Sequence, residues 1–210
     1  MTSSPSDALR ALVSVMDRLR SPGGCPWDAQ QTHESLVPYA LEEAYELAES
    51  IETADRPGLR EELGDLLLQV VFHARIATEH PTDPFDVDDV AADLVAKLVR
   101  RHPHVFEEAP LEGDAHVQWD RLKNAEKQRE SALDGVPVAL GALARAQKIA
   151  GRAGRAGLAT DAPAGDTLGE RLLALVLEAQ AAGLDAEGEL RRTAYAWERD
   201  LRAGESAARP

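Results

Sequence analysis

The chain is short of residues that define several protein classes, and each shortage removes one. Its 210 residues include a single cysteine, Cys25. That excludes an internal disulfide and a thiolate-rich zinc site. Aromatic residues are 4% of the total, so a core has to be assembled from Leu, Val, Ile and Ala. No apolar run approaches the ~20 residues that a membrane span needs, and no membrane partner is expected. The first twenty residues lack a basic segment followed by an apolar block, so they do not read as a secretion signal. The expected compartment is the cytoplasm. Alternating Val/Ile/Tyr runs and Asn-Gly turns are missing, which removes a β-rich fold. Basic residues are outnumbered, 23 Lys and Arg against 37 Asp and Glu, for a net charge of −14. A general grip on nucleic acid needs the opposite balance, because Lys and Arg displace counterions from phosphates.

What is present is helical periodicity, and the fold class it indicates is all-α. A first helix is predicted from about Asp7 to Arg20, with Leu9, Leu12, Met16 and Leu19 on one stripe. Ser21-Pro22-Gly23-Gly24 stops it. Cys25-Pro26-Trp27-Asp28 reads as a polar loop. A second helix begins near Ser35 and runs to about Thr53, which places Pro38 in its first turn, where a missing N–H costs little. Pro57 opens a third helix that continues to about Glu79. Asp86, Asp88 and Asp89 open a fourth, since acids suit the positive end of a helix. It ends in Lys97 to Arg101, and His102–Phe106 reads as irregular. A polar helix is expected over 115–130, a small-residue helix through Leu140, Leu143 and Ile149, a linker over 158–166, and two closing helices near 167–182 and 186–202.

One stretch is echoed. Residues 63–71, LGDLLLQVV, resemble residues 168–176, LGERLLALV, and each is followed by a break and an acidic helix start. The tail therefore reads as a diverged second copy of the central helix pair. This gives a catalytic part over 1–135 and a C-terminal part over 136–210. Thr167 stands where Glu62 stands in the first copy, so the second copy is expected to be a packing element.

Half of the net charge falls in residues 42–65. That window holds nine acids and two bases. Glu43 and Glu46 are three apart on one helix, and Glu62 and Asp65 are three apart on the next, so each pair shares a face. Like charges so placed destabilise a helix by a few tenths of a kcal/mol per pair, about 0.2–0.5. Two readings follow: a solvated face or a cation site. Glu62 and Asp65 stand among Leu59, Leu63, Leu66 and Leu67, close to the apolar stripe. Gly64 between them costs about 1 kcal/mol relative to Ala and invites the close approach of a backbone or ligand. Antiparallel packing of the two helices would bring four carboxylates together. Oxygen-only ligation suits Mg²⁺, with Mn²⁺ as a substitute, rather than zinc or copper. No His has Glu three positions before it, which disfavours a di-iron bundle. The residue pattern alone leaves both readings open.

Longer motifs carry a resemblance. Cys25-Pro26-Trp27-Asp28, Gln31-Thr32-His33, Ser35-Leu36, Pro38-Tyr39, Glu42-Glu43-x-x-Glu46 and Glu62-Leu63-Gly64-Asp65-Leu66-Leu67 follow one another. Arg101-His102-Pro103-His104-Val105-Phe106, Trp119-Asp120 with Lys123 and Glu126-Lys127, and Arg145-Ala146-Gln147-Lys148-Ile149 extend the series. Together they resemble the MazG nucleoside triphosphate pyrophosphohydrolases over about residues 8–157. The resemblance implies an all-α NTP pyrophosphatase bundle that hydrolyses NTP or dNTP to the monophosphate and pyrophosphate with Mg²⁺, in house-cleaning of the nucleotide pool. It implies Glu43, Glu46, Glu62 and Asp65 as metal ligands. Glu42 matches the first acid of the motif and is expected to orient or deprotonate the attacking water. The family includes two-domain members; here the second copy lacks the acidic motif, so one active site per chain is expected.

Outside the acids, Lys97, Arg100 and Arg101 either pair with a helix C-terminus or capture phosphates, for which an Arg fork is well shaped; the resemblance favours phosphate for at least one. Trp119, with Lys123 and Lys127, reads as a base-stacking residue beside phosphate contacts, with core packing as the other reading of Trp119. Trp27 and Asp28 lie where loop residues serve a site. His102, His104 and Cys25 read as structural. Helices with apolar faces and few aromatics suggest a homodimer that completes its burial between subunits. The competing function is a helical binding or regulatory module that kept the fold and lost the chemistry.

Overall fold

The computed structural model describes residues 5–107, 119, 130–161 and 165–208. Among these residues there are helices and no strands, as the periodicity predicts. The chain divides into two units, Met1–Ala115 and His116–Pro210. That division lies upstream of the boundary drawn from the sequence at 135.

In the first unit, α1 (Pro5–Arg20) is followed by α2 (Pro26–Gln30). The Cys25–Asp28 stretch is therefore not a loop. Pro26 takes the first helical position, where its fixed φ suits a helix start, and that makes the turn helical. The third element, α3 (His33–Glu52), starts two residues earlier than the spacing predicts. Thr32 and Ser35 form a capping box, the Thr32 hydroxyl accepting from Ser35 N–H and the Ser35 hydroxyl accepting from Thr32 N–H. Pro38 consequently lies inside the helix, not in its first turn, and the Glu34 carbonyl loses its helical donor.

The next helix, α4 (Arg56–Ala77), is capped by Asp55, which accepts from Gly58 N–H at 3.2 Å. It is followed by α5 (Val87–Arg101), where Asp86 and Asp89 form a second capping box. The segment expected to be irregular holds a single turn, α6 (Pro103–Phe106), again opened by a proline. The polar helix expected over 115–130 lies outside the described residues, apart from Trp119, which is helical and partly buried, and Glu130.

Helices α3 and α4 form an antiparallel hairpin. His33 meets His73 at one end and Ser50 meets Gly58 near the turn. The turn is tight: Asp55 N–H donates to the Ser50 carbonyl at 2.9 Å, and Ala54 takes a left-handed φ of 57°. A Cβ on Gly58 would come within 2.9 Å of Ser50 Oγ, so this glycine lets the two helices close. The core of the unit joins α1, α3 and α4 through Met16, Leu36, Val71, Phe72 and Ile76. Arg20 fastens the periphery. Its side chain is 7% exposed, donates to the carbonyls of Asp28 (2.7 Å) and Gln31 (3.0 Å), and pairs with Glu79. Arg75 pairs with both Asp17 and Glu79, so the ends of α1, α2 and α4 are tied together.

The second unit contains α7 (Ala142–Arg155), α8 (Leu168–Ala181) and α9 (Ala186–Ala208). Glu187 accepts from Ala144 N–H at the start of α7. Thr167 caps α8 in a box with Glu170. The acid that echoes Asp65 is thus engaged in capping a helix. Val176, at the position echoing Val71, is 1% exposed.

Candidate metal and substrate site

The acids of α3 and α4 converge because of the hairpin. Each helix turns about 100° per residue, and the antiparallel register puts Glu43 of α3 level with Glu62 and Asp65 of α4. One carboxylate oxygen from each of these three lies within 4.8 Å of the others. All three are only partly buried. Glu46 falls outside this set, yet its charge acts on both Glu43 and Glu62. Glu42 is exposed, and its charge acts on Glu43.

The electrostatics are those of crowded like charges. Partial loss of water pushes the Glu43 carboxyl above the usual range, and the negative charges of Asp65, Glu46 and Glu42 push it further. Glu62 is raised for the same reasons, by reduced hydration and then by Glu46, Asp65, Glu43 and Glu61. A cation among these oxygens removes the conflict. The oxygen-only donor set fits a hard divalent ion, and partial exposure leaves coordination positions open for water or phosphate.

At Gly64 the space is open. Among the described residues, nothing lies within 4 Å of the position its Cβ would take, so none of their backbone approaches it. Of the basic residues, Lys97 is partly buried, Arg100 is exposed and Arg101 is buried at 7% exposure. All three belong to the last turns of α5. Trp119 belongs to the second unit. Lys123 and Lys127 lie outside the described residues.

Three arrangements went unread in the sequence, although Trp27 itself was singled out. Trp27, half exposed, packs edge-on against Tyr39 (6.0 Å between ring centroids) and Phe72 (6.4 Å). Tyr39 is one turn before Glu43, so this aromatic cluster stands beside the acids. Gln69, one turn after Asp65, is 7% exposed, and its Oε1 is buried without a hydrogen-bond partner. A glutamine inside the run LLLQVV was the available signal. His33 and His73 stack with planes 2° apart and their Nδ1 atoms 2.8 Å from each other. Burial, and then the neighbouring His33, hold His73 below the usual histidine range.

Fold and site together define a class: an all-helical protein whose central hairpin presents a carboxylate trio able to hold a metal ion. Comparison with known proteins narrows it. Residues 31–106 match the MazG nucleotide pyrophosphohydrolase domain. An uncharacterized 26.1 kDa protein of Streptomyces cacaoi is 49% identical over 96% of this chain and 84% of its own length. The nucleoside triphosphate pyrophosphohydrolase of Escherichia coli K12 is 43% identical over 83% of this chain and 68% of its own length. The nucleoside triphosphate pyrophosphohydrolase/pyrophosphatase MazG of Thermotoga maritima is 46% identical over 73% of this chain, and the match covers 60% of that protein's length. The chain belongs to the MazG family of nucleotide pyrophosphohydrolases.

Proposed function

We propose that the protein is a Mg²⁺-dependent nucleoside triphosphate pyrophosphohydrolase that converts NTP or dNTP to the monophosphate and pyrophosphate. The observation that carries this reading is the convergence of Glu43, Glu62 and Asp65 within 4.8 Å, on the segment that matches the family domain. With Glu46 they would hold the ion, Mg²⁺ or in its place Mn²⁺. When bound, that ion supplies charge neutralisation of the triphosphate and acidifies water. Glu42, exposed beside the trio, orients the attacking water and takes its proton. Water attacks the α-phosphorus, the α–β anhydride bond breaks, and pyrophosphate leaves. At least one of Lys97, Arg100 and Arg101 counters the charge of the β- and γ-phosphates, Arg101 being the least accessible of the three. The exposed face of Trp27 offers the base a stacking surface; Trp119, Lys123 and Lys127 remain further substrate contacts in this reading.

The C-terminal part, 136–210, is read as a degenerate copy without its own chemistry, leaving one active site per chain in the part spanning 1–135. The chain is proposed to work in the cytoplasm as a homodimer. Val37, Leu41 and Tyr45 recur every fourth residue on α3 and are each about half exposed, as is Leu63 on α4. Such a stripe favours a second subunit. A monomer in sedimentation velocity at micromolar concentration would remove the dimer.

The deciding experiment incubates the full chain with ATP, dCTP and other triphosphates plus Mg²⁺ and separates the products. Monophosphate and pyrophosphate are expected. Diphosphate and phosphate would move the cut and overturn the mechanism. No turnover with any triphosphate would favour the binding module.

A further inference from the structure

The second unit holds a cavity of about 570 Å³, broadly open to solvent, between α7 and α8, a size common among small-molecule sites. In the first unit the matching wedge between α1 and α4 is filled. Leu36 of α3 sits there, 1% exposed, in one cluster with Met16, Val71 and Phe72. The internal echo aligns Leu173 with Leu68, and one residue past it Leu177 aligns with Phe72. However, the connection that carries α2 and α3, residues 21–55, is shortened to 156–167 in the second unit. Among the described residues, no helix there supplies a counterpart of Leu36.

The cavity walls are aliphatic, with Leu140, Ile149, Leu173 and Leu177 among them. No aromatic ring is among the described lining residues, so a nucleobase would find no stacking surface. One cation, Arg145, also lines the cavity, and its Nε is buried without a hydrogen-bond partner. A guanidinium keeps its charge at every pH reached by a folded protein, and a buried donor left unpaired is costly. Thr160 and Asp161 border the same space. Both are exposed, and no ion pair joins Asp161 to Arg145 among the described residues.

We propose that this cavity binds an amphiphile with a straight aliphatic body and a carboxylate head, the head on Arg145 and the chain along the leucine walls. The proposal is independent of the carboxylate trio and of the activity proposed for it.

Isothermal titration of the full chain with octanoate and decanoate, below their micellar concentrations, tests this. One saturable site per chain is expected, with affinity rising about fourfold per added carbon. The neutral analogue 1-decanol binds at least tenfold more weakly. Arg145→Met erases the preference for acid over alcohol. Asp161→Asn tightens decanoate binding, because a repelling carboxylate is gone. Leu173→Trp fills the cavity and abolishes binding, with circular dichroism confirming that the variant stays helical. No saturable binding of decanoate would overturn the proposal. So would equal affinity for decanoate and decanol, or decanoate binding unchanged by Leu173→Trp. If Leu173→Trp fails to fold, the acid–alcohol comparison on the unmodified chain decides.

Discussion

In the proposed site, Glu43 would serve a bound cation and burden the metal-free fold for one reason. Its carboxylate is partly dehydrated and faces Asp65, Glu46 and Glu42. Neutralising it should therefore have opposite effects on two measurements. Glu43→Gln is expected to lower turnover roughly 100-fold or more, the scale seen when one preorganised charge-stabilising group is lost. The same variant should melt at a higher temperature than the parent when both are metal-free. An unchanged rate, or a lower melting temperature without metal, would contradict the assignment.

The His33–His73 contact makes a second prediction at this scale. His73 is held below the usual histidine pKa, so the folded state favours its neutral form. The unfolded chain takes up a proton near pH 6.5. Stability from this source is therefore complete above about pH 6.5 and falls as pH drops below it. Urea unfolding between pH 7.5 and 5.5 should show the slope, and His73→Leu should flatten it. The acids were legible in the sequence because i, i+3 spacing is local. The histidine pair was not, because its partners are separated by most of a hairpin and meet only when α3 and α4 pack.

At the scale of elements, the hairpin depends on its turn. Ala54 holds a left-handed φ of 57° at the position after the helix end where glycine is usual. A left-handed alanine costs about 1–2 kcal/mol, while glycine adds about 0.4–1 kcal/mol of unfolded-state entropy. Ala54→Gly should thus stabilise the protein by about 0.5–1 kcal/mol in urea titration, and should not alter the rate. Arg20 acts across three helix ends. Arg20→Met would leave the Gln31 carbonyl without its Arg20 donor and the Asp28 carbonyl with only the long 3.4 Å bond from Gln31 N–H, at a cost of about 1–3 kcal/mol. Release of α2 should also red-shift Trp27 emission. The helices themselves were largely legible from apolar spacing and stop signals. The errors fell on short segments opened by a proline or a capping box: α2, the start of α3, and α6. Proline reads as a breaker when its own φ is overlooked, and the Thr32–Ser35 box outweighed the expectation that Pro38 belongs in a first turn.

At the scale of the molecule, among the described residues no helix is long and apolar enough to cross a membrane. Half of the charge excess gathers on the hairpin that carries the trio. An ion that binds only the folded chain adds stability by mass action, about 2.7 kcal/mol at a hundredfold excess over its Kd. For a chain of this length that is roughly 5–10 °C in Tm. Differential scanning fluorimetry with and without Mg²⁺ should show the rise in the parent and a much smaller one in Glu62→Gln. Family membership was legible because long motifs kept their order along the chain. The cavity between α7 and α8 was not, since a shortened connection shows its effect only once the wedge it fails to fill is seen.

The three clustered carboxylates are all partly open to solvent, and this has a practical outcome. A cation held by such a rim is not walled in; it trades places with the surrounding solution. Occupancy would then track the free-ion concentration moment by moment. A chelator should silence the protein without unfolding it, and replenishment should restore full speed at once. In that sense the rim would act as a gauge of ionic supply rather than as a permanent fitting.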